Sequence, residues 1–349
     1  MGSEIERARR PPRARITDVA GAAGVSITTV SHAMSGARTV NPQTRERILE
    51  AAASLGYAPD RIASGLRRRR TSMVGFIGDS ISTTPFAGRL IAGARTAALR
   101  QDVVLLVAES DGVLEREQSL IERLVAQRVD GILLARMYHQ RVDQPDRLPD
   151  VPLVLLNAAP ELGWQVDAVV PDEAQIAMVA SGRVLDAGHH RIAFANAVDP
   201  SRAARARLIG IRSALGLKGV ELRDDHVVWV ISTAAGGRAA GEQLLDLPEP
   251  PTAVICFNDQ IAMGVMQAAA RRGLRVPDDL SVVGVDDLHP VADALDPGLT
   301  TVALPHAEMG SWAMTRLLAR LDGIETGPAA LHLMDGWLVE RGSVAPPHL

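Results

Sequence analysis

The stretch ITTVSH, residues 27–32, sets Thr28 and His32 four residues apart, about one helical turn, with Ile27, Thr29 and Ser31 beside them. Short hydroxyls and an imidazole at this spacing can exchange hydrogen bonds with base edges, and Ile27 can touch a thymine methyl. Thr and Ser are poor helix formers, because they lose rotamer freedom or compete for backbone hydrogen bonds. Gathering them on one short helix points to work on its outer face. Thr29 and Ser31 suit phosphate oxygens, which position a protein on a duplex without specifying its sequence. A small helical protein-binding module with a polar face is the competing reading. Charge separates the two: residues 1–72 hold 13 arginines against 6 acidic residues, although the whole chain carries a net charge of -4. A basic head on an acidic body is the distribution that nucleic-acid binding by one small domain requires. A solubilising basic tail would account only for the arginines from Arg7 to Arg15.

The elements that must position these residues are legible. Residues 1–15 are rich in Arg and Pro and read as a disordered basic arm. Thr17 is a plausible N-cap for a first helix through Val19, Ala20 and Ala23, and Gly24 permits a tight turn. Ser26 caps the second helix, with Val30 and Met34 facing inward. Asn41 caps a third, with Pro42 at its first position and an apolar stripe of Ile48, Leu49, Ala52 and Leu55. Three helices in about forty residues, with a glycine turn between the first two, define a helix-turn-helix domain over 16–58. Residues 59–71 form a hinge or linker. Ile62, Ala63 and Leu66 fit one face of a helix too short to stand alone. Arg67 to Arg70 follow, so the segment suits folding on DNA, with arginines on phosphate and Leu66 wedged in the minor groove. A flexible basic linker is the plainer reading of the same residues.

A second set of chemistry-bearing residues falls at the ends of apolar runs. From Met73 onward, strand-sized runs (MVGFIG at 73–78, VVLLVAE at 103–109, GILLA at 131–135, VPLVLLN at 151–157) alternate with helical stretches. A second series follows at 191–196, 226–231, 252–257 and 281–286. This is the rhythm of parallel sheets covered by helices, and two series imply two lobes. Ligands of such sheets bind beyond the carboxyl ends of the strands. Asp79, Asn157, Asn258 and Asp286 stand at such ends, and Arg205 lies in the helix after RIAFAN. Turn formation explains each one singly; their recurrence at strand ends favours a small polyhydroxylated or anionic ligand, whose buried polar groups must be matched.

The run ITDVAGAAGVSITTVSHAMSG, followed by TRERI and LGY, resembles the lactose/galactose repressor family of bacterial transcription regulators, and TTVSH is especially like its purine repressor branch. VDGILL, GHHRIAF, SRAARARLIG, FNDQIAMGV, LRVPDDLSVVGVDD and GLTTV extend the resemblance over most of the chain. The resemblance implies an N-terminal all-α helix-turn-helix domain joined to an α/β two-lobed periplasmic-binding-protein-like domain, the latter spanning 72–349 and serving effector binding and dimerisation. It implies double-stranded palindromic operator DNA as partner, two subunits whose hinge helices pair over the operator centre, and a small effector, with a sugar favoured. The DNA-facing candidates are Thr17, Ser26, Ile27, Thr28, Thr29, Ser31 and His32 in the head, and Ala63, Leu66, Arg67 and Arg68 in the hinge, where Leu66 matches the family's intercalating leucine. The effector candidates are Asp79, Asn157, Arg205, Asn258, Asp286 and His306, with His306 placed by the resemblance alone. Ile27 stands where the family has threonine, so the operator sequence does not carry over. The chain has no added C-terminal leucine heptad, which implies a dimer.

Other classes are disfavoured. The chain has a single cysteine, Cys256, in the apolar run TAVICF, so neither a disulfide nor a thiolate metal cluster is expected, and no cofactor is called for. There is no phosphate-cradling glycine fingerprint or nucleophile elbow, which argues against an enzyme. The N-terminus lacks an apolar export segment and no run approaches the roughly 20 residues that span a bilayer, so a cytoplasmic protein without membrane contact is expected. The alternative to an operator-specific regulator is a cytoplasmic small-molecule-binding protein.

Overall fold

The computed structural model describes residues 14–35, 40–55, 57, 70–198 and 201–348. The basic arm to residue 13 and the hinge candidates Ala63, Leu66, Arg67 and Arg68 lie outside the described residues. The chain divides between Thr71 and Ser72 into two compact units.

In the first unit, α1 (Ile16–Ala23), α2 (Ile27–Ser35) and α3 (Pro42–Ser54) enclose a core of Val19, Ala20, Ala23, Val30, Ala33, Ile48 and Ala52. Gly24 ends α1 at φ 63°, a left-handed position that suits glycine. Ser26 then caps α2, its Oγ accepting from the Thr29 N–H at 3.1 Å, and the Asn41 side chain accepts from the Gln43 N–H at 3.0 Å to start α3. Two expectations fail in detail. Thr17 is not the cap of α1: the N-cap lies two residues earlier, at Arg15, whose N–H donates to the Asp18 carboxylate at 2.7 Å. On α3 only Ile48 and Ala52 are buried, while Leu49 and Leu55 face outward.

The second unit holds two six-stranded sheets. The first has the order β11-β5-β4-β3-β1-β2, built from β1 (Met73–Gly78), β2 (Val104–Glu109), β3 (Gly131–Val142), β4 (Leu153–Pro160), β5 (Asp167–Pro171) and β11 (Leu331–Met334), all parallel. The second has the order β12-β10-β9-β8-β6-β7, built from β6 (Ile192–Ala197), β7 (Val227–Val230), β8 (Ala253–Cys256), β9 (Ser281–Asp286), β10 (Thr300–Ala303) and β12 (Trp337–Val339). Only β12 runs antiparallel to its neighbour. Helices α4 (Ala87–Leu99) and α5 (Leu114–Ala126) serve the first lobe. The second has α6 (Glu173–Asp186), α7 (Arg202–Gly216), α8 (Ala234–Leu245), α9 (Asp259–Arg271) and the single turn α10 (Val291–Ala294). Cys256 is fully buried in β8.

The chain crosses between the lobes three times: from β5 into α6, from β10 into α11 (His306–Leu321), and from β11 to β12. The closing segment is thus two short strands in different sheets rather than one. Gln175 clamps the third crossing, its Nε2 donating to the Gly336 carbonyl and its Oε1 accepting from the Gly336 N–H, both at 3.0 Å. Helix α11 returns to the first lobe and lies directly on α4. The contact is backbone to backbone: a Cβ on Gly310 would fall 2.1 Å from the Leu90 carbonyl oxygen, and one on Gly93 would fall 1.9 Å from that of Ala307. Replacing Gly310 with Ala is therefore expected to force α11 away from α4 and destabilise this unit by about 1–3 kcal/mol. Urea unfolding of the full chain checks this; an unchanged midpoint would contradict the close approach.

Candidate functional site

The cleft lies where the two sheets present their strand ends to each other. Its lining comes from both lobes: Phe86, Met137, Tyr138, His139 and Asn157 from the first, and Ala203, Arg207, Phe257, Asn258 and Asp286 from the second. Pro171, Glu173, Leu304 and His306 line it from the crossings. The cavity between these side chains is small, about 30 Å³, and partly open to solvent. A bigger recess, about 190 Å³, lies at the other end of the second sheet beside His189 and Arg191. His189 is committed there to structure, bonding Thr252 Oγ1 at 2.9 Å and the Ala345 carbonyl at 2.9 Å.

Arg207, not Arg205, reaches the cleft. Ala203, Ala204, Arg207, Gly210 and Ile211 form the buried stripe of α7, and Arg205 sits off that stripe, exposed to solvent. Arg207 Nε donates to Glu173 Oε2 at 2.7 Å, its Nη1 donates to the Phe257 carbonyl at 2.5 Å, and its guanidinium lies 4.5 Å from the Phe257 ring centroid. Glu173, the first residue of α6, also accepts from His139 Nδ1 of the first lobe at 3.2 Å. Burial by itself would raise the Glu173 carboxyl, but the Arg207 charge and the His139 hydrogen bond outweigh it and hold the group below its ordinary value. A second bridge between the lobes runs from Arg89 Nη2 to the Asp287 carbonyl at 2.7 Å.

The other sequence candidates divide. Asn157, in a left-handed conformation at φ 56°, donates from Nδ2 to the Arg136 carbonyl at 2.9 Å. Asn258 caps α9, accepting from the Ile261 N–H at 2.9 Å, and its Nδ2 donates to Ser232 Oγ at 2.6 Å. Asp286 ends β9 at φ 115°, a region that costs a side-chain-bearing residue about 1–3 kcal/mol. Burial, with the Asp259 carboxylate close by, raises its carboxyl well above the usual range. His306 is buried, stacks on Phe86 with ring centroids 4.3 Å apart, and leaves Nδ1 without a hydrogen-bond partner. Asp79 is outside the cleft lining: its carboxylate takes the Met137 N–H at 2.9 Å and Gln140 Nε2 at 3.3 Å, holding the end of β3.

The residues that sequence reasoning missed are Glu173, His139, Phe86, Tyr138, Phe257 and Arg207. For Arg207 a signal existed, since Ala203, Ala204, Gly210 and Ile211 recur at helical spacing and the seventh position of SRAARARLIG completes that face. Among the described residues no cluster of three or more His, Cys, Asp or Glu side chains could hold a metal, and no helix is long and apolar enough to cross a membrane.

On the first unit, Thr17, Ser26, Ile27 and Thr28 are exposed, while Thr29, Ser31 and His32 are half-buried. The Ser26 and Thr29 hydroxyls bond each other at 2.8 Å, so part of their polarity serves the cap of α2. Ile27 and Thr28 open the helix on its outer side.

This is a DNA-binding helix-turn-helix head joined to a two-sheet, periplasmic-binding-protein-like body, the architecture of an allosteric transcription regulator. The lacI family of bacterial regulatory proteins matches residues 15–60, and the periplasmic binding protein-like domain matches residues 182–344. The chain is 32% identical over 333 residues to the HTH-type transcriptional repressor PurR of Vibrio cholerae serotype O1, covering 95% of this chain and 98% of that one. The lac repressor dimer bound to operator and the anti-inducer ONPF superposes with a TM-score of 0.78 at 26% identity, covering 96% of this chain and all of that one. A complex of the transcriptional regulator CelR with cellobiose gives a TM-score of 0.67 at 30% identity, covering 95% of this chain and all of that one. The chain belongs to the lacI family and is a transcriptional repressor rather than an enzyme.

His306 gives a pH signature. Burial, with the charges of Arg89 and Arg207, pushes its imidazole from 6.5 down to about 3. Below pH 6.5 the unfolded chain takes up a proton that the folded chain refuses, so stability falls as pH drops, by up to about 1.4 kcal/mol per pH unit from this group. His306→Phe keeps a ring on Phe86 and removes the titration. The variant is expected to lose less stability than the parent between pH 7 and pH 5 in urea unfolding; equal losses would contradict the buried neutral imidazole.

Proposed function

We propose that this repressor binds a palindromic operator as a homodimer and is controlled by a small effector held between the two lobes. The observation that carries the effector reading is the cleft itself, where Asp286 at the end of β9 and His306 at the start of α11 bring buried polar groups to one lining. Opposing surfaces that bridge through His139–Glu173 and Arg89–Asp287 can exist in a closed and a parted arrangement. A ligand that fits one arrangement better shifts the population toward it. Sugar-like ligands are the favoured class: the related CelR is described with cellobiose, and hydroxyls would match the polar lining.

Dimerisation is supported by the sheet edges. Strands β2 and β7 end their sheets at corresponding positions in the strand order and expose Val107 at 48% and Trp229 at 43%. Open apolar edges call for a cover, and a second copy would supply one with two-fold symmetry. In the head, Ile27, Thr28 and His32 would read base edges from the start of α2, and Thr17, Ser26, Thr29 and Ser31 would face phosphates. Ala63, Leu66, Arg67 and Arg68 would order over the operator centre, with Leu66 in the minor groove. The place of action is the cytoplasm.

Selection of the purified protein on random duplex DNA at roughly 0.15 M salt, where pure charge attraction is screened, tests the reading. One enriched palindrome is expected. Absence of enrichment, with and without metabolite extract, would leave a small-molecule-binding protein. With the palindrome in hand, Asp286→Ala is expected to keep operator binding and lose the response to the effector, whereas exposed Arg205→Ala is expected to keep both. A full response from Asp286→Ala, measured by fluorescence anisotropy on the operator, would remove Asp286 from the site.

A further inference from the structure

One peptide unit of the second lobe is held at both ends. The Asp287 carbonyl accepts from Arg89 Nη2 of the first lobe at 2.7 Å, and the N–H of the same peptide, that of Leu288, donates to Asp259 Oδ2 at 2.6 Å. A trans peptide is planar, with its N–H and C=O pointing in opposite directions. Fixing the N–H therefore fixes where the carbonyl points. The unit follows Asp286 at φ 115° and Asp287 at φ 49°, two successive conformations that side-chain-bearing residues keep only when their surroundings hold them. Asp286 lines the cleft, whereas Asp259 stands outside that lining.

The surroundings of Asp259 leave its carboxyl little freedom. It opens α9, is fully buried, and its Oδ1 accepts from Thr301 Oγ1 of β10 at 2.6 Å. Gly284 on β9 makes the room: a Cβ there would fall 2.1 Å from Oδ1. Burial raises the carboxyl to about 7. Both of its forms can take the Leu288 N–H, since a proton on Oδ1 would face Thr301 Oγ1 and leave Oδ2 to accept. The Thr301 hydroxyl also accepts from the Asp287 N–H at 3.4 Å, and the Asp287 carboxylate pairs with Arg341 at 2.7 Å. The side chain of Asp287 is thus held within its own lobe, and the bond that reaches the first lobe leaves from the backbone.

Granting that lobe movement about this cleft carries the effector response, we infer that Asp259 is a positioning residue for the lobe bridge: it orients the Asp287–Leu288 peptide toward Arg89, and a flip of that one peptide releases the bridge. The flip breaks both hydrogen bonds at once, so each bond protects the other. A ligand that engages Asp286 acts on the residue next to this peptide, which puts the lobe bridge one residue from the cleft carboxyl. Asp259 takes part without touching a ligand.

The test uses the full-length protein with no ligand added, so its result does not depend on whether an effector is found. Hydrogen–deuterium exchange, resolved at the Leu288 amide by mass spectrometry, reads the N–H end of the peptide. Arg89→Met touches only the carbonyl end, yet it is expected to speed exchange at Leu288 by about ten-fold, the loss of one hydrogen bond from a charged donor, with β9 unchanged. Spin labels on Leu114→Cys and Leu217→Cys, exposed positions in different lobes, read the bridge itself; Cys256 is buried and stays unlabelled. Arg89→Met and Asp259→Ala are each expected to add the same longer-distance population, and their combination to add no more. Asp259→Asn, which keeps an acceptor for Leu288 and turns its amide to Thr301, is expected to stay parental in both readouts. A merely structural role would instead speed exchange along β9 and α9 together and add in the double variant. The inference is overturned by unchanged Leu288 exchange in Arg89→Met, by a parental distance distribution in a folded Asp259→Ala protein, by additive distances in the double variant, or by Asp259→Asn behaving as Asp259→Ala. Should Asp259→Ala fail to fold, Thr301→Val, which removes the hydroxyl that orients the carboxyl, takes its place with the same outcomes required. A cleft that binds no ligand would remove the effector reading and leave the measured bridge as it is.

Discussion

Three passages of the chain between the two lobes constrain everything built around the cleft. With Pro171–Glu173, Leu304–His306 and Asp335–Gly336 all crossing the same gap, the lobes cannot slide apart; they can only bend about a shared set of short segments. Hinge motion of this kind is concentrated in a few element-terminal residues. Two of the three crossings also deliver cleft side chains, Glu173 and His306. The backbone that ties the lobes is thus the backbone that presents groups to a ligand, which couples cleft occupancy to lobe geometry directly.

The energetics of the cleft differ from those of the lobes. Each lobe is held by apolar clusters on both faces of its sheet, with Phe76 and Phe194 among the largest fully buried side chains. The cleft instead holds the Glu173–Arg207 pair, the unpartnered His306 Nδ1, and Asn157 and Asp286 at positive φ. A buried ion pair contributes little net stability over an apolar replacement, yet losing one partner costs about 3–5 kcal/mol. The features collected here fix geometry and charge at the expense of stability, which is the pattern expected where an apolar core supports a binding surface.

Much of this organisation was legible along the chain. Helix starts at Ser26 and Asn41, the glycine turn at Gly24 and the recurring strand–helix rhythm are local features, and the structure reproduces them. The errors have local causes too. Thr17 competed with Arg15 for the cap, and the Asp18 carboxylate decided for Arg15. Strand β5, read DAVVP, and strand β10, read TTVA, are too short and too plain to stand out from their surroundings. The two-part closing segment was not readable, since LHLM and WLV pair with different sheets only after both sheets exist.

What the sequence determined by itself was the head-and-body division, the helix-turn-helix pattern and the class of the body, because capping, periodicity and charge segregation act over a few residues. Tertiary structure decided which arginine of SRAARARLIG enters the cleft, and what it meets there. Arg205 and Arg207 are chemically identical and two positions apart; only the packing of Ala203, Ala204, Gly210 and Ile211 turns Arg207 inward. Its partner Glu173 lies 34 residues earlier at the head of another helix, and His139 a further 34 residues back on a strand of the other lobe. A contact between residues so far apart depends on how the sheets are stacked, and no local propensity encodes that.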